Sequence, residues 1–133
     1  MTPLIALVDD DGDFLDLERR IVESGGYRAA CFSDPHSALA ALTEAAAGDR
    51  PALLITDLMM SALDAGFSLA RAVKSDPRSA GIPVIIISAV ASQKGFDFHP
   101  RSATDLASMS ADAFFDKPVS PPILLARVKE LLG

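Results

Sequence analysis

Five residues of this 133-residue chain are of types that could do chemistry together: Asp9, Asp10, Asp57, Ser88 and Lys117. Each stands at or directly beyond the end of a short apolar run. Asp9 and Asp10 follow "LIALV", Asp57 follows "ALLIT", Ser88 follows "VIII", and Lys117 follows "AFFD". Crowded carboxylates repel one another unless a cation relieves them, and Mg²⁺ typically takes one or two carboxylates with waters and phosphate oxygens. Asp9, Asp10 and Asp57 suit that ion. Lys117 adds an ammonium and Ser88 a hydroxyl. A cation, an ammonium and a hydroxyl donor together suit a phosphoryl group in transfer. One of the carboxylates could act as nucleophile and form an acyl phosphate.

Taken singly, each residue has an ordinary reading. An Asp after a strand is commonly a helix cap or turn residue. Ser88 alone would be a turn residue and Lys117 alone a solvated charge. The signal is the coincidence at four strand ends.

Short apolar runs alternate with helical periodicity along the whole chain. Strands are expected at Leu4–Val8, 27–32, 52–56, 82–87 and 113–115. Phe14, Leu17, Ile21 and Val22 share a helical face, and Gly25-Gly26 stops that helix. Asp34 caps a second helix with Pro35 at its first position. A third helix is expected over 66–74 and a last one over Pro121–Leu132. Continuous apolar strands alternating with helices imply an α/β fold, a parallel sheet covered on both faces. All strand ends then lie along one edge, where such sheets bind ligands. Five strand–helix pairs use residues 1–133 as a single domain and leave nothing for an output domain.

Half of the residues are hydrophobic, enough to build a core, and a chain of this length buries about two-thirds of its unfolded surface. The net charge of −6 and the lack of a Lys/Arg cluster argue against direct nucleic-acid binding. The single cysteine, Cys31, excludes an internal disulfide and reads as a small buried hydrophobe. The longest apolar stretch, 82–91, is too short to span a bilayer, and no basic segment precedes the first apolar run. A soluble cytoplasmic protein with no membrane association is expected.

Four motifs, "LVDDD", "LLITDLMM", "VIIISA" and "FFDKP", occur in the order and on the elements found in one family. The chain resembles the receiver domains of two-component response regulators, the CheY-like superfamily, over essentially its whole length. The resemblance implies a flavodoxin-like, doubly wound (βα)5 sheet of order 2-1-3-4-5. It implies that Asp57 is a phosphoprotein's acceptor, taking a phosphoryl group from a histidine kinase or phosphotransfer protein. Asp10 and Asp57, with Asp9 acting through water and the backbone carbonyl of Met59, would hold Mg²⁺. Ser88 and Lys117 would contact the phosphoryl oxygens, and Ala89 would leave it room. Phe114 matches the switch aromatic, although it also reads as ordinary core. The Lys117–Pro118 bond would be cis. Asp11 matches no required position and reads as a helix N-terminal residue.

The sequence departs from the family in two places. In "DLMMSALDAGF", Ser61 stands where proline is usual, and Ala65 is one inserted residue before Gly66. The segment between Ser88 and Lys117 is longer than usual and carries Phe96, Phe98, His99 and Pro100. A short fourth helix is expected over 103–109. His99 and His36 read as surface residues.

The expected function is a stand-alone phosphoacceptor switch of a phosphorelay, not an enzyme in the usual sense, whose altered face binds a downstream protein. Two other readings stay open. One is a Mg²⁺-dependent phosphatase or phosphotransferase with an aspartate nucleophile, since Asp9 and Asp11 have the Asp-x-Asp spacing. The other is a degenerate receiver that signals without phosphate.

Overall fold

The apolar runs become five parallel strands. A computed structural model describes residues 2–57, 65–88, 110–117 and 119–133. Its elements run β1 (Leu4–Val8), α1 (Gly12–Ser24), β2 (Arg28–Phe32), α2 (Pro35–Thr43), β3 (Leu53–Asp57), α3 (Ala65–Ser75), β4 (Val84–Ser88), β5 (Ala113–Asp116) and α4 (Pro121–Leu132). A single 3-10 turn, Ala47–Asp49, leads into β3. The strand order is β2-β1-β3-β4-β5, as expected. Met59, Ala89, Phe96, Phe98, His99, Pro118 and the helix expected over 103–109 lie outside the described residues.

Strand parity divides the core. Ile5 and Leu7 of β1, Leu53 and Ile55 of β3, Ile85 and Ile87 of β4 and Ala113 of β5 face one side, with Ile21 and Val22 of α1 and Leu124 and Val128 of α4. Ala6, Val8, Leu54, Val84 and Ile86 face the other, with Ala38 and Leu42 of α2 and Leu69, Ala70 and Val73 of α3. β1, β3 and β4 are covered on both faces, which is why they read as unbroken apolar runs. Each large aliphatic side chain so buried contributes roughly 1.5–3 kcal/mol.

The helices start and stop where local chemistry dictates. Asp11 is the N-cap of α1, its carboxylate accepting from the N–H groups of Asp13 and Phe14. Asp34 caps α2 by accepting from Ser37 N at 2.9 Å. Gly26 ends α1 at φ +90°, a left-handed conformation that suits glycine, and Tyr27 N closes back on Val22 O at 3.2 Å. Gly25 is a second requirement: a Cβ there would stand 2.6 Å from Leu125 Cδ2 of α4. At the sheet edge opposite the strands' C-termini, Lys74 Nζ donates to Ile82 O at 2.8 Å and to Asp112 Oδ2 at 3.0 Å. The same Oδ2 accepts from Val84 N at 2.8 Å, which ties α3 to the starts of β4 and β5.

Two sequence expectations are corrected. Leu17 does not share the buried face of α1; it is 46% exposed, and Glu18 lies inside instead. Residues 14, 18 and 22 form the i, i+4, i+8 stripe that meets the sheet, and Leu17 falls to its side. Cys31 is exposed rather than buried, because β2 is the edge strand and pairs only with β1. His36 is exposed, as expected.

Candidate functional site

Parity continues past the strand ends and decides which side chains meet. Asp9 is two residues beyond Leu7, Asp57 two beyond Ile55, and Lys117 two beyond Phe115. All three therefore emerge on the side covered by α1 and α4. Ser88 is two beyond Ile86 and emerges on the opposite side. Phe114 pairs in register with Ile86 and packs, half-buried, against the α2–α3 side of the core. Ser88 and Phe114 thus share a face on neighbouring strands.

Backbone bonds carry the sheet one residue further at the site. Asp9 N donates to Phe32 O at 3.2 Å, and Lys117 N donates to Ser88 O at 3.1 Å. These bonds hold Asp9 and Lys117 as firmly as strand residues, although both follow the last strand position.

Asp9 is fully buried. Its Oδ1 accepts from Asp11 N at 2.9 Å and its Oδ2 from Lys117 Nζ at 2.8 Å. Lys117 Nζ also stands 3.6 Å from Asp57 Oδ1 and 4.2 Å above the centre of the Phe14 ring. Asp57 and Ser88 are buried, and Asp10 is exposed. Burial pulls the Lys117 ammonium toward a lower pKa. The hydrogen bond it donates to Asp9 and the charges of Asp57, Asp9 and Glu18 outweigh it and hold the group above the usual lysine value.

One carboxylate oxygen from each of Asp9, Asp10 and Asp57 lies within 4.8 Å of the others. A Mg²⁺ ion with oxygen ligands at 2.0–2.1 Å spans about 4 Å between opposite ligands. The three acids therefore fit such an ion with water completing its shell. Asp10, exposed and beside two buried acids, leaves the approach open to solvent.

Comparison with known proteins gives the family and the fold. Residues 5–129 match the response regulator receiver domain family. The chain belongs to that family. It is 33% identical over 128 residues to the transcriptional regulatory protein GltR of Pseudomonas aeruginosa PAO1, covering 96% of this chain but 48% of GltR. It superposes on a putative response regulator from Chloroflexus aurantiacus with a TM-score of 0.80 at 22% identity, over 99% of this chain and 98% of the other. It also superposes on the receiver domain of the sensor histidine kinase PA1611 of P. aeruginosa, which was crystallised with magnesium in its active-site cleft. That match has a TM-score of 0.79 at 20% identity, over 100% of this chain and 99% of the other. This receiver domain therefore spans about half the length of GltR. Among its described residues no helix is long and apolar enough to cross a membrane.

Two side chains near the acid cluster escaped the sequence reading. Phe14 was assigned only to the core, yet its ring underlies Lys117. Glu18 was not singled out at all. It is fully buried, and neither carboxyl oxygen has a hydrogen-bond partner among the described residues. Burial pushes its pKa up to about 9; repulsion from Asp9 and, less strongly, Asp57 adds to this, and Lys117 opposes it. The available cue was its place in the 14–18–22 stripe. Asp11 was a candidate partner of Asp9 in an Asp-x-Asp pair, but its carboxylate is taken up in capping α1.

Proposed function

We propose that this receiver domain is the phosphoacceptor switch of a two-component phosphorelay, with Asp57 as the acceptor. The observation that carries the reading is the convergence of Asp9, Asp10 and Asp57 on one point, with the Lys117 ammonium bridging two of them. An Asp57 carboxylate oxygen would attack the phosphorus of a phosphohistidine on a histidine kinase or phosphotransfer protein. The new O–P bond forms as the P–N bond breaks, and the imidazole leaves with its electron pair. Asp10 and Asp57, with Asp9 through water and the Met59 carbonyl, would hold Mg²⁺, which offsets charge on the transferring phosphoryl group.

The chain's own residues supply the rest. Lys117 is 3.6 Å from Asp57 and within a small movement of any oxygen placed there. Ser88 stands on the next strand, one position beyond the Asp57–Ile87 pair. A hydroxyl drawn toward a phosphoryl group on Asp57 would vacate space on the α2–α3 side, the side that Phe114 occupies. Inward rotation of that ring would change the surface around β5 and α4 and so alter protein binding. The partners so implied are a kinase or phosphotransfer protein on one side and a downstream protein on the other, in the cytoplasm and without direct nucleic-acid contact. Covalent labelling of the wild type by acetyl phosphate in Mg²⁺, absent in Asp57→Asn, tests the reading. Catalytic turnover of generic phosphate esters would contradict it.

A further inference from the structure

Four contacts at the head of α1 close into a circuit. Asp9 Oδ1 accepts from Asp11 N at 2.9 Å, and Asp11 Oδ1 accepts from Phe14 N at 3.2 Å. The Phe14 ring lies beneath Lys117 Nζ, 4.2 Å from the ring centre, and Lys117 Nζ donates back to Asp9 Oδ2 at 2.8 Å. The N-cap thus fixes the backbone of Phe14 in the first turn of α1. Its side chain is partly buried and packs on the core shared by α1 and α4. Phe14 is anchored at both ends, whereas Lys117 reaches the site on a flexible four-carbon stem.

An ammonium over an aromatic face is attracted by the ring's quadrupole, the more so where water is kept away. Lys117 meets that condition: its side chain is only 15% exposed, and Asp9 beside it is fully buried. Three groups act on its Nζ: Asp9 through a hydrogen bond, Asp57 through its charge at 3.6 Å, and Phe14 through its ring face. On the phosphoacceptor reading, on which this inference rests, phosphorylation of Asp57 alters the second of these and stretches the first. The ring face is the contact that stays the same. We propose that Phe14 is a positioning residue, whose ring holds the Lys117 ammonium at one spot within reach of both Asp9 and a phosphoryl oxygen on Asp57. The benefit falls on the phosphorylated state. Without the ring, a resting Lys117 is free to settle elsewhere around Asp9, and the phosphoryl group then has to draw it back.

The test is the affinity for beryllofluoride, a phosphoryl mimic, in Mg²⁺, measured by calorimetry. The proteins compared are the wild type, Phe14→Leu, and protein in which the Phe14 ring carries one, two or three fluorines. Fluorine drains the negative face of the ring and hardly alters its size, so a ring that only fills space would show no gradient. The expected result is a stepwise loss of affinity with each fluorine, reaching about fivefold at three, and a loss of about the same size in Phe14→Leu. Equal affinity across the fluorinated series overturns the inference, whatever Phe14→Leu does. Thermal unfolding of each protein verifies that it is folded. A wild type that binds no beryllofluoride overturns the phosphoacceptor reading itself, and the inference with it.

Discussion

Lys117 Nζ lies 2.8 Å from Asp9 Oδ2 across 108 residues of sequence, and the carboxylate it pairs with is fully buried. This contact joins one edge of the sheet to its interior, since β5 is an edge strand and β1 lies between β2 and β3. It also places a positive charge beside the acid cluster. Removing Lys117 leaves the fully buried Asp9 without its counter-ion.

Lys117→Met is therefore expected to destabilise the fold by about 3–5 kcal/mol, the usual effect of stranding one half of a buried pair. Urea unfolding in EDTA measures this. Added Mg²⁺ should restore part of the loss, because it compensates the same carboxylates. A variant as stable as wild type in EDTA would mean that Asp9 finds another partner.

Binding of Mg²⁺ to the folded state should raise the melting temperature of the wild type. Saturation at about a hundredfold above the Kd corresponds to about 2.7 kcal/mol. Asp57→Asn and Asp10→Asn should each lose most of that gain. In EDTA, Asp57→Asn should be no less stable than wild type, since it removes one of three mutually repelling charges. An Mg²⁺ response unaltered in both variants would place the ion elsewhere.

Glu18 gives the stability a pH dependence of definite sign. Its pKa rises from an ordinary 4.5 when unfolded to about 9 in the fold. Between those values the folded state holds a proton that the unfolded state has lost. Stability from this group is thus fully present below about pH 4.5 and declines as pH rises to about 9, with a slope approaching 1.4 kcal/mol per pH unit. Subtracting the Glu18→Gln curve from the wild-type curve isolates the effect, because other groups cancel. Glu18→Leu should be more stable than wild type at neutral pH, since it removes a buried carboxyl that has no hydrogen-bond partner among the described residues. A flat difference curve would show that Glu18 is solvated.

Gly26→Ala should cost about 1–2 kcal/mol, since φ is +90° there and a Cβ is poorly tolerated in left-handed backbone. Chemical denaturation reads this directly. A loss well below 1 kcal/mol would mean that the α1–β2 turn relaxes without the left-handed residue.

How much of this was legible in the sequence depended on the pattern involved. The strands were readable because β1, β3 and β4 are apolar on both faces, and their polar ends then had to share one sheet edge. Asp9, Asp10, Asp57, Ser88 and Lys117 follow from that alone, and the strand order came from the family resemblance. Which of them touch did not follow, because contact depends on parity and on twist. Counting alternation back from the strand interiors would have placed Asp9, Asp57 and Lys117 with α1 and α4, and Ser88 with Phe114. Glu18 was hidden because a charged residue in an amphipathic helix is assumed to face water, and the apolar Leu17 beside it drew the helix face one position round. Cys31 was misjudged for the opposite reason: an apolar neighbourhood in sequence does not reveal that its strand is at the edge.

The central claim is that Asp57 accepts a phosphoryl group in a site built by Asp9, Asp10 and Lys117. Intact-mass measurement after incubation with acetyl phosphate and Mg²⁺ tests it most directly, on wild type and Asp57→Asn side by side. The expected result is a single added phosphoryl group on the wild type, absent in EDTA and absent in Asp57→Asn. An unlabelled wild type, or equal labelling of Asp57→Asn, would contradict it.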